Sequence, residues 1–177
     1  MSGRKVALDT CVLGWALRDK YTESDKAKKI RAERFFARLK EEKATIVVPS
    51  VVLFELLCVY SDSEEDTEAK IQFLDKLSKH CQIADLDIIA ASHAASYFNA
   101  TNNGDCGYDK SEREKSKRKA DTMILGQAAC NEVSDLITND AGFISLAKAL
   151  HESNKCHVSV EDIPEDPQME IEEVIIE

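Results

Sequence analysis

The 177-residue chain has little that breaks regular structure: three prolines and six glycines. That excludes a collagen-like chain and argues against a disordered one. No apolar run approaches the roughly 20 residues that cross a bilayer, so no membrane-spanning protein is expected. The opening MSGRKVALDT carries only a very short apolar stretch and no small-residue cleavage site. No secretory signal is therefore expected, and the expected location is cytoplasmic. The six cysteines (Cys11, Cys58, Cys81, Cys106, Cys130 and Cys156) include no Cys-x-x-Cys pair. They read as reduced, mostly buried thiols. His80-Cys81 and Cys156-His157 lack zinc-finger spacing. No Gly-x-Gly-x-x-Gly follows the first apolar segment, and no P-loop occurs, which removes two nucleotide-binding classes.

Basic residues are absent from one end. Residues 161–177 hold eight acids and no Lys or Arg, out of a formal net charge of −10. The remaining 160 residues carry only −2. Within them, residues 26–43 hold eight bases and three acids, and residues 110–119 hold six bases and two acids. Binding follows the local field, so the acidic total does not exclude a polyanionic substrate. The length suits one domain of residues 1–160 followed by an acidic tail of residues 161–177.

Strand and helix signals alternate along the chain. RKVAL (4–8), TIVV (45–48), IADL (83–86), SDLITN (134–139) and HVSV (157–160) read as short strands. Residues 11–18, 24–42, 49–60, 64–80, 88–100, 120–130 and 141–152 read as helices. Ala32, Phe35, Phe36 and Leu39 make one apolar helix face, and Phe143, Leu146, Ala147 and Leu150 another. Pro49 suits a first helical turn, and Asp87 a cap. Residues 101–117 are the most loop-like stretch, and IEEVIIE at the end could add an edge strand. The alternation predicts an α/β fold with a mainly parallel sheet.

Four acids stand out by position. Asp9 follows KVAL and Asp140 follows LITN, at the strand ends where parallel sheets build their sites. Glu55 and Asp121 lie in apolar helical stretches, VVLFELLCVY and ADTMILGQAAC. A charge buried there needs a partner, and a divalent cation is one. Each acid alone also has a plain reading: Asp9 and Asp140 as helix caps, Glu55 as a surface or base-paired acid, Asp121 as a first-turn acid.

LDTCVL (8–13), VPSVVLFELL (48–57), KADTMILGQAA (119–129) and LITNDAGF (136–143) resemble, in order, the four motif blocks of PIN-domain nucleases, including the VapC-like ribonuclease toxins. The resemblance runs from about residue 5 to residue 160, with Cys11 where Asn is common. It implies a three-layer α/β/α domain with a central, mainly parallel sheet. It implies that Asp9, Glu55, Asp121 and Asp140 form a catalytic, metal-binding quartet for Mg²⁺ or Mn²⁺. Thr10, Thr138 and Asn139 match the positions beside the first and last acids and would support the acids or face the phosphate; they read equally as cap or turn residues.

The loop before Asp121 departs from compact members and carries Lys110, Arg113, Lys115, Lys117, Arg118 and Lys119, of which the last three stand closest to the acid. That cluster reads as an RNA-backbone contact or as a solvated loop end. The implied activity is metal-dependent endoribonuclease cleavage of RNA. In the toxin reading an antitoxin protein occupies the groove and the domain dimerises. The rivals are a non-catalytic PIN-like module that binds RNA or protein, and a DNA-directed nuclease of related fold. An Asp-nucleophile phosphatase would want a second Asp where Cys11 stands.

Overall fold

A computed structural model describes residues 3–18 and 22–165. Strands β1 (Lys5–Leu8), β2 (Thr45–Pro49), β3 (Cys81–Ala84), β4 (Asp135–Ile137) and β5 (Ser159–Glu161) form one sheet in the order β3-β2-β1-β4-β5. Every neighbouring pair is parallel. Val6, Ala7, Leu8, Ile46, Val47, Val48 and Leu136 are buried, as parallel strands covered on both faces require.

The cover is seven helices: α1 (Thr10–Leu17), α2 (Lys26–Glu41), α3 (Ser50–Leu57), α4 (Glu64–His80), α5 (Ile88–Asn103), α6 (Lys115–Cys130) and α7 (Ala141–Glu152). Their contacts form two groups that meet where α3 packs on α6. Helix α1 packs with α2, α3 and α4, whereas α5, α6 and α7 pack with one another. The fold is the expected α/β/α arrangement, with a sheet that is parallel throughout.

Local signals account for most elements. Ala32, Phe35, Phe36 and Leu39 are the buried face of α2, and Phe143, Leu146, Ala147 and Leu150 that of α7. Ser63 caps α4 by accepting from the Asp66 amide, and three acids fill its first turn, where the helix dipole favours them. Asp87 caps α5 through the Ala90 amide. That helix ends at Gly104, whose φ of 81° suits a residue without Cβ.

Two contacts set the helices that carry functional candidates. Helix α6 approaches α5 at Gly126, where a Cβ would stand 2.9 Å from the Ala94 amide nitrogen and collide with the Ala90 carbonyl oxygen. The buried Gln127 amide donates to Ser50 Oγ and to the Ala84 carbonyl, both at 2.6 Å. It thereby ties α6 to the start of α3 and the end of β3.

Some boundaries differ from the sequence reading. Strand β3 lies two residues earlier, because α4 runs straight into an extended Cys81 that pairs with Ile46. Leu86 is left 39% exposed. Pro49 is the last residue of β2, paired with Ala84, and stands as the N-cap of α3 rather than inside it. Helix α6 begins at Lys115, so much of the basic run is helical. Of the six free thiols only Cys156 is buried, and Cys58 is exposed. Ile163 packs into the core beyond β5. The IEEVIIE edge strand lies outside the described residues.

Candidate active site

The chain starts in the middle of the sheet, runs outward through β2 and β3, then returns to the other side of β1. The strand order therefore reverses between β1 and β4, and open parallel sheets form their crevice at such a point. Asp9 stands immediately after β1, and Asp140 begins α7 just past β4. Both are helix caps. Asp9 Oδ1 accepts from the Thr10 amide at 2.7 Å, and Asp140 Oδ1 accepts from the amides of Gly142 (2.9 Å) and Phe143 (3.1 Å). Capping uses one oxygen of each carboxylate and leaves the other for different partners.

Asp9 Oδ2 accepts from the Thr138 hydroxyl at 2.6 Å. The same hydroxyl oxygen accepts from the Asp140 amide at 3.1 Å, so Thr138 fixes both acids from beneath. Glu55, on α3, accepts from the Thr10 hydroxyl. Asp121 lies in the second turn of α6 and is nearly buried, so it is not a first-turn acid. All four acids line one cavity of about 640 Å³, together with Thr10, Cys11, Lys117 and Asn139. Arg118 and Lys119 do not line it. Their charged groups lie over the Phe98 ring of α5, at 5.7 and 5.9 Å.

The sequence reading placed Arg113 in the basic cluster but not in the site. Arg113 Nη1 and Nη2 donate to the two oxygens of Asp140 at 2.8 and 2.9 Å. Nη2 also donates to Asp121 Oδ1 at 3.0 Å. Arg113 Nε sits 2.5 Å from Asp121 Oδ2, an ion-pair contact without hydrogen-bond alignment. Nothing in its spacing distinguishes Arg113 from Lys110 or Lys115, because a base run shows no loop path.

The electrostatics follow from burial. Burial pushes the Asp121 carboxyl up to about 7, with the charges of Asp140 and Asp9 adding, against the hydrogen bonds and charge of Arg113. Asp9 is also raised by burial, in part offset by Thr138 and the Thr10 amide, and raised further by Glu55 and Asp140. At Asp140 burial works in the same direction, but Arg113 and the two capping amides outweigh it and hold the carboxyl low. Burial and the Asp9 charge push the Cys11 thiol up to about 11, so it stays protonated at neutral pH.

The sequence matches the PIN domain family over residues 6–149. This chain belongs to the PIN domain family. Two solved structures share its fold. VapBC2 from Rickettsia felis, bound to a DNA fragment from its promoter, aligns with a TM-score of 0.57 at 18% identity, covering 89% of this chain and 98% of the other. DNA-bound VapBC from Salmonella typhimurium aligns with a TM-score of 0.55 at 18% identity, covering 91% and 99%. No curated protein matches by sequence. No helix among the described residues of this PIN domain is long and apolar enough to cross a membrane.

PIN domains typically bind divalent metals. The donor set here fits one in kind: four carboxylates on one cavity offer the hard oxygens that Mg²⁺ and Mn²⁺ prefer. Among the described residues no base pairs with Asp9 or Glu55. The other two acids are engaged by Arg113. Among the described residues, no group of three or more His, Cys, Asp or Glu side chains is arranged to hold a metal ion.

Proposed function

We propose that this PIN domain is a divalent-metal-dependent endoribonuclease that hydrolyses RNA phosphodiester bonds. The observation that carries the reading is the convergence of Asp9, Glu55, Asp121 and Asp140, from four separate elements, on one cleft at the switch point of the sheet. These four residues would hold Mg²⁺ or Mn²⁺. When bound, such an ion supplies Lewis-acid polarisation of a phosphate and an acidified water.

The chain's own groups do the rest. Thr138 and the Thr10 amide hold Asp9 in one orientation, which preorganises the acid without neutralising it. Glu55, anchored by Thr10, can accept a proton from an attacking water. Lys117 and Asn139 line the cavity and can face phosphate oxygens. The basic runs of α2 and of the start of α6 add local positive charge to an otherwise acidic chain, which favours a polyanionic substrate. The similarity to VapBC structures supports a toxin with an antitoxin partner.

The test is incubation of the purified chain with single-stranded and structured RNAs in Mn²⁺, Mg²⁺ or EDTA, with Asp9→Asn as control. Cleavage that needs both metal and Asp9 is expected. A parallel single-stranded DNA substrate separates a DNA-directed nuclease. One observation favours a second reading, a non-catalytic binding module: Arg113 already engages two of the acids. Metal binding without turnover would establish that reading.

A further inference from the structure

Arg113 lies between a 3₁₀ turn at Lys110–Glu112 and Glu114, the N-cap of α6, with extended backbone. Its guanidinium reaches into the acidic cavity and joins Asp121 to Asp140. The two sides of this clasp are unequal. Toward Asp140 it is a two-pronged fork with both bonds under 3 Å, the strong geometry for guanidinium and carboxylate. Toward Asp121 one prong is aligned, whereas Nε and Oδ2 touch without a hydrogen bond.

The seat is shaped for the guanidinium. Gly142, at the start of α7, has no side chain there, and a Cβ would fall 2.6 Å from Arg113 Nη1 and 3.3 Å from Asp140 Oδ1. The turn that delivers the arginine is exposed at Lys110 and Ser111 and is closed locally, with Asp109 accepting from the Ser111 amide and hydroxyl. One guanidinium brings one positive charge to the four acids, and a divalent cation would bring two. Exchange of the first for the second is favoured by charge.

We propose that Arg113 is a resident counter-ion that competes with the divalent cation for Asp121 and Asp140, so that metal enters as the guanidinium leaves. This rests on the metal-binding reading above. In the metal-free chain Arg113 bridges the two acids.

The test is titration calorimetry of the full chain with Mn²⁺, alongside thermal melts in EDTA and in Mn²⁺. Arg113→Gln is expected to bind Mn²⁺ about tenfold tighter than wild type, because no counter-ion has to be displaced. Its melting temperature in EDTA is expected to fall and its gain on adding Mn²⁺ to grow. Gly142→Ala keeps every charge and pushes on Nη1, so it is expected to shift Mn²⁺ affinity the same way by a few fold. It decides the matter if Arg113→Gln does not fold. Equal or weaker Mn²⁺ binding by the folded variants would overturn the role of Arg113 and leave the metal site standing. Binding of Mn²⁺ by none of the proteins, wild type included, would instead overturn the metal reading and this proposal with it.

Discussion

The two halves of the acidic cleft manage their charge by different means. Asp9 and Glu55 are held by neutral donors: the hydroxyls of Thr138 and Thr10 and one backbone amide. Asp121 and Asp140 share a guanidinium. Hydroxyls orient a carboxylate and leave its charge in place, whereas an arginine removes the charge from the local field. One half is thus oriented without a counter-ion. The other is a site closed by its own chain, and the two lie side by side in a single cavity.

The largest expected effect comes from breaking the hydroxyl-held half. Asp9→Asn is expected to lower RNA cleavage by about a hundred- to a thousandfold, the usual cost of one preorganised electrostatic group. The asparagine oxygen can still accept from the Thr10 amide, and its NH2 can donate to the Thr138 hydroxyl oxygen, so far-UV circular dichroism should be unchanged. Full activity in the variant would refute the site. Next, Thr138→Val takes away the hydroxyl that serves both Asp9 and the Asp140 amide. Because Thr138 is completely buried, the loss should cost about 1–3 kcal/mol in urea unfolding. A stability within error of wild type would show that these bonds carry little.

The arginine-held half is sharpened by pH. In EDTA the Asp121 carboxyl, raised from 3.8 to about 7, keeps a proton in the folded chain that the unfolded chain has released. Its contribution to stability is present below the unfolded value and is lost as pH rises through about 7. Between about pH 4 and about pH 7, wild type should therefore lose stability more steeply than Asp121→Asn. Parallel slopes in the two proteins would count against a raised Asp121. The smallest effect is expected at the rim. Lys117→Ala should raise KM a few fold and flatten its salt dependence by about one phosphate contact, with kcat little changed. An unchanged salt slope would remove Lys117 from the RNA path.

Much of this architecture was legible along the chain. The apolar faces of α2 and α7, the caps Asp87 and Asp140, and the alternation of strands with helices are local patterns, and they hold in the structure. Reading Asp9 and Asp140 as caps or as site residues posed no real choice. Each caps a helix with one oxygen while the side chain lines the cavity. The basic cluster was another matter. Its residues look alike in sequence, yet Lys117 lines the cleft, Arg118 and Lys119 lie over Phe98, and Arg113 enters the acid pair. Helical phase divides Lys117 from its two neighbours once α6 is known to begin at Lys115, and the sequence signals placed that start later.

The sequence by itself determined the layered α/β fold and the placing of two acids just past strand ends. Both follow from period, capping and strand polarity, which act between near neighbours. Tertiary structure alone decided that Glu55 and Asp121 meet those acids, through packing at Gly126 and the Gln127 bridge. It also decided that Arg113 closes on Asp140 across 27 residues of chain. That pairing depends on where α6 and α7 come to rest on the sheet, and no local preference encodes the distance between them.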